Sequence, residues 1–393
     1  MIATSQRPKP ASPFATVSSL ASRVVEGLPY LKKDLARRIS LRTGKVLATP
    51  TTYYIIFTGR CNLACPFCEI HKQVDPKLSD EVLFRIVREA KELSGSGFHI
   101  SLSGGEPAAY APLFELLELS QKLGVNFGFT TNGLALTKKN VERIIAAEPF
   151  NVNVSMESVD PKINDALRPF PDGTKRVLAG IECLVEEKRR TGSRTSLFVK
   201  TTILKQNYRT IPDLVRHFGK DSGVQINFQP YSGEQGAPFW VQDLAKLADV
   251  IAELKALRRE GYPIVGNDQT LDGFFDYLKD PPMEWKTRFL DLGGAKRNCD
   301  IGLRTMFVRP NGDVLFCGFL KEVLGNIHKQ TLPEMYYGAI AAKERRTMVY
   351  CNIDCQNTCI RPIPLTVKAK AFLKMGRQSK SPAKDLVQIR TAS

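Results

Sequence analysis

Cys61-Asn-Leu-Ala-Cys65-Pro-Phe-Cys68 sets three thiols within eight residues. Thiolates so spaced are ligands for soft metals and iron–sulfur clusters. Three of them cannot fill a four-iron cluster, so one iron keeps open positions, the mark of a catalytic rather than a structural metal site. A zinc site is the other reading, with Glu69 or His71 as the nearest fourth ligand, although short zinc knuckles mostly use paired Cys-x2-Cys units. Five more cysteines lie between residues 299 and 359: Cys299, then Cys317 after Gly312, then Cys351-x3-Cys355-x3-Cys359. The ninth, Cys183, stands beside Ile181 and Leu184 in an apolar helical stretch and reads as core. This grouping favours metal ligation or catalysis over a disulfide framework. The four histidines are scattered and form no ligand pair at helical spacing.

The elements that must position these thiols alternate. Tyr53–Phe57 reads as a strand running straight into the first cysteine group. A helix over Asp80–Leu93, with Ser79 as N-cap, is followed by a strand over Phe98–Leu102 that ends in Ser103-Gly104-Gly105-Glu106-Pro107. The series continues with a helix at Leu113–Leu123, a strand at Val125–Thr130 ending in Thr131-Asn132-Gly133, a helix at Lys139–Ala147 and a strand at Val152–Met156. Thr174–Arg190 (helix), Ser196–Leu204 (strand), Ile211–Phe218 (helix) and Val224–Gln229 (strand) complete six repeats. Such alternation predicts an α/β fold with a parallel sheet, a partial (β/α)6 barrel. The domain reading is a basic N-terminal segment at 1–50, the barrel at 51–231 and a connecting helical region at 232–298 with one clear helix, Val241–Arg258. A small cysteine-rich α+β extension follows at 299–360, then a basic tail at 361–393. Within the extension, Thr305–Val308 and Val314–Phe316 flank Pro310-Asn311-Gly312-Asp313 as a β-hairpin.

The Cys-x3-Cys-x2-Cys pattern, with aromatic Phe67 before its last cysteine, resembles the signature of the radical SAM superfamily. The resemblance implies that Cys61, Cys65 and Cys68 bind a [4Fe–4S] cluster whose free iron is chelated by S-adenosylmethionine. Reductive cleavage of that cofactor would then yield a 5′-deoxyadenosyl radical that abstracts hydrogen from a substrate. Gly104, Gly105, Glu106 and Pro107 resemble the family's GGEP motif. That motif is implied to bind the methionine ammonium group, with Glu106 contributing negative charge and the glycines admitting close backbone approach to the ligand. Asn132, Ser155, Glu157 and Arg168 stand where members place further cofactor-binding groups. The second cysteine set resembles the SPASM/Twitch extension, which carries auxiliary clusters. A full SPASM domain has seven cysteines; five here limit the extension to one auxiliary [4Fe–4S] cluster. Its expected ligands are Cys299, Cys317 and two of Cys351, Cys355 and Cys359. The remaining thiol is spare, or the cluster keeps an open iron; a structural zinc is the alternative.

Hydrophobic and charged contents of 43% and 24% are ordinary for a globular chain, and no long uncharged apolar run or secretory signal is present, so a cytoplasmic protein is expected. The net charge of +16 is concentrated in residues 1–50 and 361–393, each +7, which leaves +2 for the body. Leu20, Val24, Leu28, Leu31, Leu35 and Ile39 follow helical spacing among Lys32, Lys33, Arg37 and Arg38. That stripe either docks on its own protein or lies at the inner face of an anionic membrane, with Gly27 and Pro29 kinking the segment. Basic amphipathic ends favour a lipid, isoprenoid or other anionic membrane-associated substrate. The alternatives are a ribosomally made peptide, against which 50 residues before the first strand are short for a peptide-recognition domain, and a sugar or aminocyclitol. An electron donor such as flavodoxin or ferredoxin is the implied partner. An iron–sulfur electron carrier is the non-enzyme alternative, although a carrier needs neither the GGEP motif nor an open iron. Nucleic acid is disfavoured, because the basic residues lie outside the barrel and no recognition fold is apparent.

Overall fold

The computed structural model describes residues 28–349 except 30, 73–76, 111, 280–298 and 319–321. A helix whose described residues are 28–29 and 31–43 (α1) precedes strand β1 (Thr52–Ile56). Five β/α repeats carry the chain on: α2 (Asp80–Ser94), β2 (His99–Ser103), the short α3 (Pro107–Tyr110), α4 (Leu113–Leu123), β3 (Asn126–Thr131), α5 (Lys138–Ala146) and β4 (Asn151–Ser155). Then come α6 (Pro161–Leu167), α7 (Gly173–Thr191), β5 (Ser196–Ile203), α8 (Ile211–Phe218) and β6 (Val224–Pro230). Two helices, α9 (Leu244–Arg259) and α10 (Asp268–Lys279), lead to β7 (Thr305–Val308), β8 (Asp313–Leu315), β9 (Gly325–Asn326), α11 (Leu332–Tyr337) and α12 (Ala339–Met348).

The strands form one sheet in the order β6-β5-β4-β3-β2-β1-β7-β8-β9, with β1 to β6 parallel to their neighbours. It is an open, barrel-like sheet. Alternation along each strand decides its two faces. Tyr53, Ile55, Ile100, Leu102, Phe127, Phe129, Val152 and Val154 point under the helices and form the continuous core. The positions between them are largely polar and line the inner face. The expected hairpin is present, but it is no island: β7 pairs in parallel with β1, from Thr52↔Thr305 to Ile55↔Val308, so the extension continues the barrel's own sheet. A parallel neighbour 250 residues away leaves no local sequence signal.

Helix ends follow side-chain chemistry. Ser79 caps α2 by accepting from Val82 N, and Thr137 and Asp243 do the same for α5 and α9. Asp160 caps α6, with Pro161 in its first turn. Thr331 and Glu334 close a capping box on α11. Of the N-terminal stripe, Leu20 and Val24 lie outside the described residues; Leu28, Leu31, Leu35 and Ile39 do not dock on the body but face outward, while Asp34, Arg37 and Ser40 are buried.

Candidate active site

The groups singled out in the barrel sit on segments that leave the C-terminal ends of strands, where open α/β sheets bind ligands, with Arg168 at the end of α6 after β4. The cysteine loop leaves β1, and the Gly104–Pro107 turn leaves β2 directly against it. Gly105 N donates to Thr58 O at 2.8 Å and Glu106 N to Arg60 O at 3.3 Å. A Cβ on Gly105 would stand 1.5 Å from Arg60 O, and one on Gly104, at φ +121°, 2.7 Å from Thr58 O. The two glycines therefore serve backbone approach to the cysteine loop itself, where the sequence suggested approach to the ligand.

Glu106 ties three loops together. Its Oε1 accepts from Thr131 Oγ1 at 2.7 Å and Ala108 N at 3.1 Å, and its Oε2 from Asn132 N at 2.6 Å. Asn132 Nδ2 in turn donates to Asn62 Oδ1, inside the cysteine loop, at 2.7 Å. Asn62 is a site residue that the motif spacing did not single out; nothing in the sequence marks a contact made 70 positions away. Burial pushes the Glu106 carboxyl up, against the pull of those hydrogen bonds and of Arg168. A carboxylate accepts about four hydrogen bonds. Three of these are used by Thr131, Ala108 and Asn132.

Glu157, fully buried, sits just beyond β4. Arg168 donates to its Oε1 through Nη2 (2.6 Å) and Nε (3.1 Å), and Thr202 N to its Oε2 (2.7 Å). Burial pushes the Glu157 carboxyl up, opposed chiefly by the Arg168 charge. Arg168 lies over the Phe67 ring, 5.6 Å from its centroid, and Phe67 meets Phe239 edge-on at 6.2 Å. Asn207, also missed in the sequence, is buried and donates to Glu157 O and Thr202 O, fixing the loop after β5. Ser155 ends β4 opposite Lys200 of β5.

The three thiols share one loop, where Cys68 N donates to Cys65 O at 3.0 Å. Burial pushes the Cys61 thiol up and Cys65 up to about 11, while Arg168 draws both back and each feels its neighbouring thiols. Among the described residues no three Cys, His, Asp or Glu side chains gather as the ligands of a single ion would. A cubane takes each thiolate on a different iron, so its ligands stand wider apart than single-ion donors. The donor set (soft sulfurs, partly buried, beside a guanidinium that offsets their charge) fits an iron–sulfur cluster.

In the extension, Cys317 is buried just past β8 and Cys299 is half-buried. Gly312, at φ +87°, turns the hairpin toward Cys317; a Cβ there would meet His328. Arg345 of α12 donates to Gly302 O at 2.8 Å, and Cys299 N to Val349 O at 3.4 Å. Val349, the last described residue, thus lies beside Cys299. Cys351, Cys355 and Cys359 lie outside the described residues.

The radical SAM superfamily matches residues 55–218, and the iron–sulfur cluster-binding SPASM domain matches 299–360. The chain belongs to the radical SAM superfamily. It is a radical SAM enzyme with a SPASM domain, and its cofactors are [4Fe–4S] clusters and S-adenosylmethionine. The AdoMet-dependent heme synthase of Methanosarcina barkeri is 24% identical over 337 residues, covering 81% of this chain and 91% of that protein. The PqqA peptide cyclase of Rhizobium meliloti is 30% identical over 141 residues, which span 35% of this chain and 37% of that protein. Among solved structures, Streptococcus suis SuiB bound to precursor peptide SuiA superposes with a TM-score of 0.59 at 18% identity, covering 90% of this chain and 80% of SuiB. At that identity the likeness is one of fold.

Proposed function

We propose that this enzyme modifies a ribosomally made peptide by abstracting a hydrogen atom from one of its C–H bonds. The observation that carries the reading is the inner face of the sheet. Ser101, Thr130, Ser155, Lys200, Asn227 and Gln229 stand there, none of them fully buried. Hydroxyls, carboxamides and an ammonium lose hydrogen bonds to water when covered, and an isoprenoid or acyl chain returns none. A polyamide returns one at every peptide unit. The names of the peptide cyclase and of peptide-bound SuiB support the same choice, so the peptide reading displaces the lipid reading that the basic ends favoured.

In this reading Cys61, Cys65 and Cys68 hold the catalytic cluster; with S-adenosylmethionine bound, it supplies the 5′-deoxyadenosyl radical. Glu106 offers its carboxylate to the cofactor's ammonium. Pro107 starts α3 so that Ala108 N turns back onto Glu106. Arg168, with two of its five N–H donors on Glu157, keeps others for a carboxylate, and Glu157 positions that guanidinium against Phe67. Asn132 and Ser155 edge the same opening. Cys299, Cys317 and two of Cys351, Cys355 and Cys359 hold one auxiliary cluster, and a flavodoxin or ferredoxin donates the electron.

The test is anaerobic incubation of the reconstituted, reduced enzyme with S-adenosylmethionine and a short precursor peptide encoded beside its gene. Peptide-dependent 5′-deoxyadenosine formation, with a matching change in peptide mass, is the expected result. Formation stimulated by a porphyrin or an isoprenoid and indifferent to the peptide overturns the reading.

A further inference from the structure

Helix α1 is mounted the opposite way from an ordinary amphipathic helix. Its polar side meets the body: Arg37 donates to Asp300 Oδ2 at 2.5 Å and also pairs with Asp34, Arg304 reaches Asp300 Oδ1 at 3.0 Å, and Lys33 Nζ donates to Pro50 O at 3.0 Å. The apolar side is left outward, with Leu28, Leu31, Leu35 and Ile39 at 45, 57, 60 and 39% exposure. With Leu47 they make five of the seven large exposed hydrophobic side chains among the described residues. The other two, Tyr337 and Ile340, flank the turn between α11 and α12, next to Tyr336, which donates to Ala48 O. Large exposed apolar surface is thus gathered on one side of the molecule, and a patch of that kind marks an interaction surface.

Charge decides its occupant. Lys32 neighbours Leu28 and Leu35 along the helix, Arg38 neighbours Leu35, and Arg42 neighbours Ile39, all at spacings of three or four residues. The second basic segment, 361–393, adds a further +7 to the chain. Two basic stripes repel one another, which disfavours a second copy of this chain, and the basic tail is repelled by α1 in the same way. An anionic bilayer complements both. The contacts of α1 include Pro50, Phe98 and Asp300, which precede β1, β2 and β7. It therefore crosses the end of the sheet opposite the cysteine loop.

We propose that the outward face of α1 docks this enzyme on an anionic membrane surface, with the leucines in the acyl boundary and Lys32 and Arg42 at the headgroups, leaving the active-site end free. Flotation of the full chain with vesicles of phosphatidylcholine alone, or of equimolar phosphatidylcholine and phosphatidylglycerol, tests it. The wild type is expected to float with the anionic vesicles only, and less at high salt. Leu31→Ser/Leu35→Ser weakens that partitioning about tenfold, and Lys32→Glu/Arg42→Glu abolishes it. Both variants keep the wild-type melting temperature, because the replaced side chains are solvent-facing. Failure of the wild type to float, or equal flotation of both variants, overturns the proposal. So does a wild-type dimer that Leu31→Ser/Leu35→Ser dissociates, which assigns the face to a second copy, or a large drop in melting temperature in that variant, which assigns it to this chain's own tail.

Discussion

Replacing Arg168 with glutamine tests how the cysteine loop is held. The Glu157 side chain is fully buried and that of Arg168 is 14% exposed, and the pair shares two hydrogen bonds. Arg168→Gln leaves the Glu157 charge with the hydrogen bond from Thr202 N. Removing one member of a buried ion pair costs about 3–5 kcal/mol. For a chain of this size each kcal/mol lowers the melting temperature by roughly 2 °C, so a fall of about 6–10 °C is expected. Stability alone does not separate scaffold from function, and a second variant does. Glu157→Gln/Arg168→Met removes both charges and keeps an acceptor for Thr202 N, so most of the lost stability returns. The cation over Phe67 and the donors aimed at the cofactor do not return. Calorimetry and S-adenosylmethionine binding, measured on the single and the double variant, read the two effects apart. A single variant that melts within about 1 kcal/mol of wild type refutes the buried-pair argument; a double variant with wild-type cofactor affinity refutes the role given to Arg168.

Other outcomes follow from the same geometry. Gly105→Ala drives a Cβ into Arg60 O, so the purified variant takes up little iron on reconstitution and is destabilised by about 3 kcal/mol or more, seen by iron analysis and urea denaturation. Asn62→Ala and Asn132→Ala are coupled by about 1 kcal/mol in a double-mutant cycle on stability, because they remove one shared hydrogen bond. Burial lowers Lys33 from 10.5 to about 7, so the unfolded chain holds more protons between those values. Wild type therefore gains stability relative to Lys33→Met as pH rises from 7 towards 10.5, and a flat difference contradicts that burial. Cys317→Ala lowers the iron content from about eight to about four per chain while leaving the first cluster in place; an unchanged count removes Cys317 from the ligand set.

The sequence made the strand-and-loop frame legible because its signals are local. Strand alternation placed β1 to β6 within one or two residues, and the Ser79 cap and the hairpin turn were visible for the same reason. The Cys61–Cys68 group stood out by residue type and spacing, while the Gly104–Pro107 turn and Arg168 were singled out only through the family resemblance. The unread features all depend on distant partners. Asn62 meets Asn132, β7 joins β1, and Arg37 meets Asp300 only after the sheet has formed. The same long-range ion pair explains the orientation of α1: amphipathic spacing identifies an apolar stripe, but a buried Arg37–Asp300 contact turns that stripe to solvent. The glycine turn follows β2 as the sequence placed it, and its backbone contact with Thr58 and Arg60 needed the fold.

The central claim is that the Cys61, Cys65 and Cys68 thiolates hold a cluster with one open iron. Its most direct test is 5′-deoxyadenosine formation by the reduced, reconstituted protein, beside a variant with all three replaced by alanine. Wild type is predicted to form the nucleoside and the variant none, while the variant keeps the iron of its extension. Formation that survives the triple substitution, or a wild type whose intact clusters yield no nucleoside, contradicts the account.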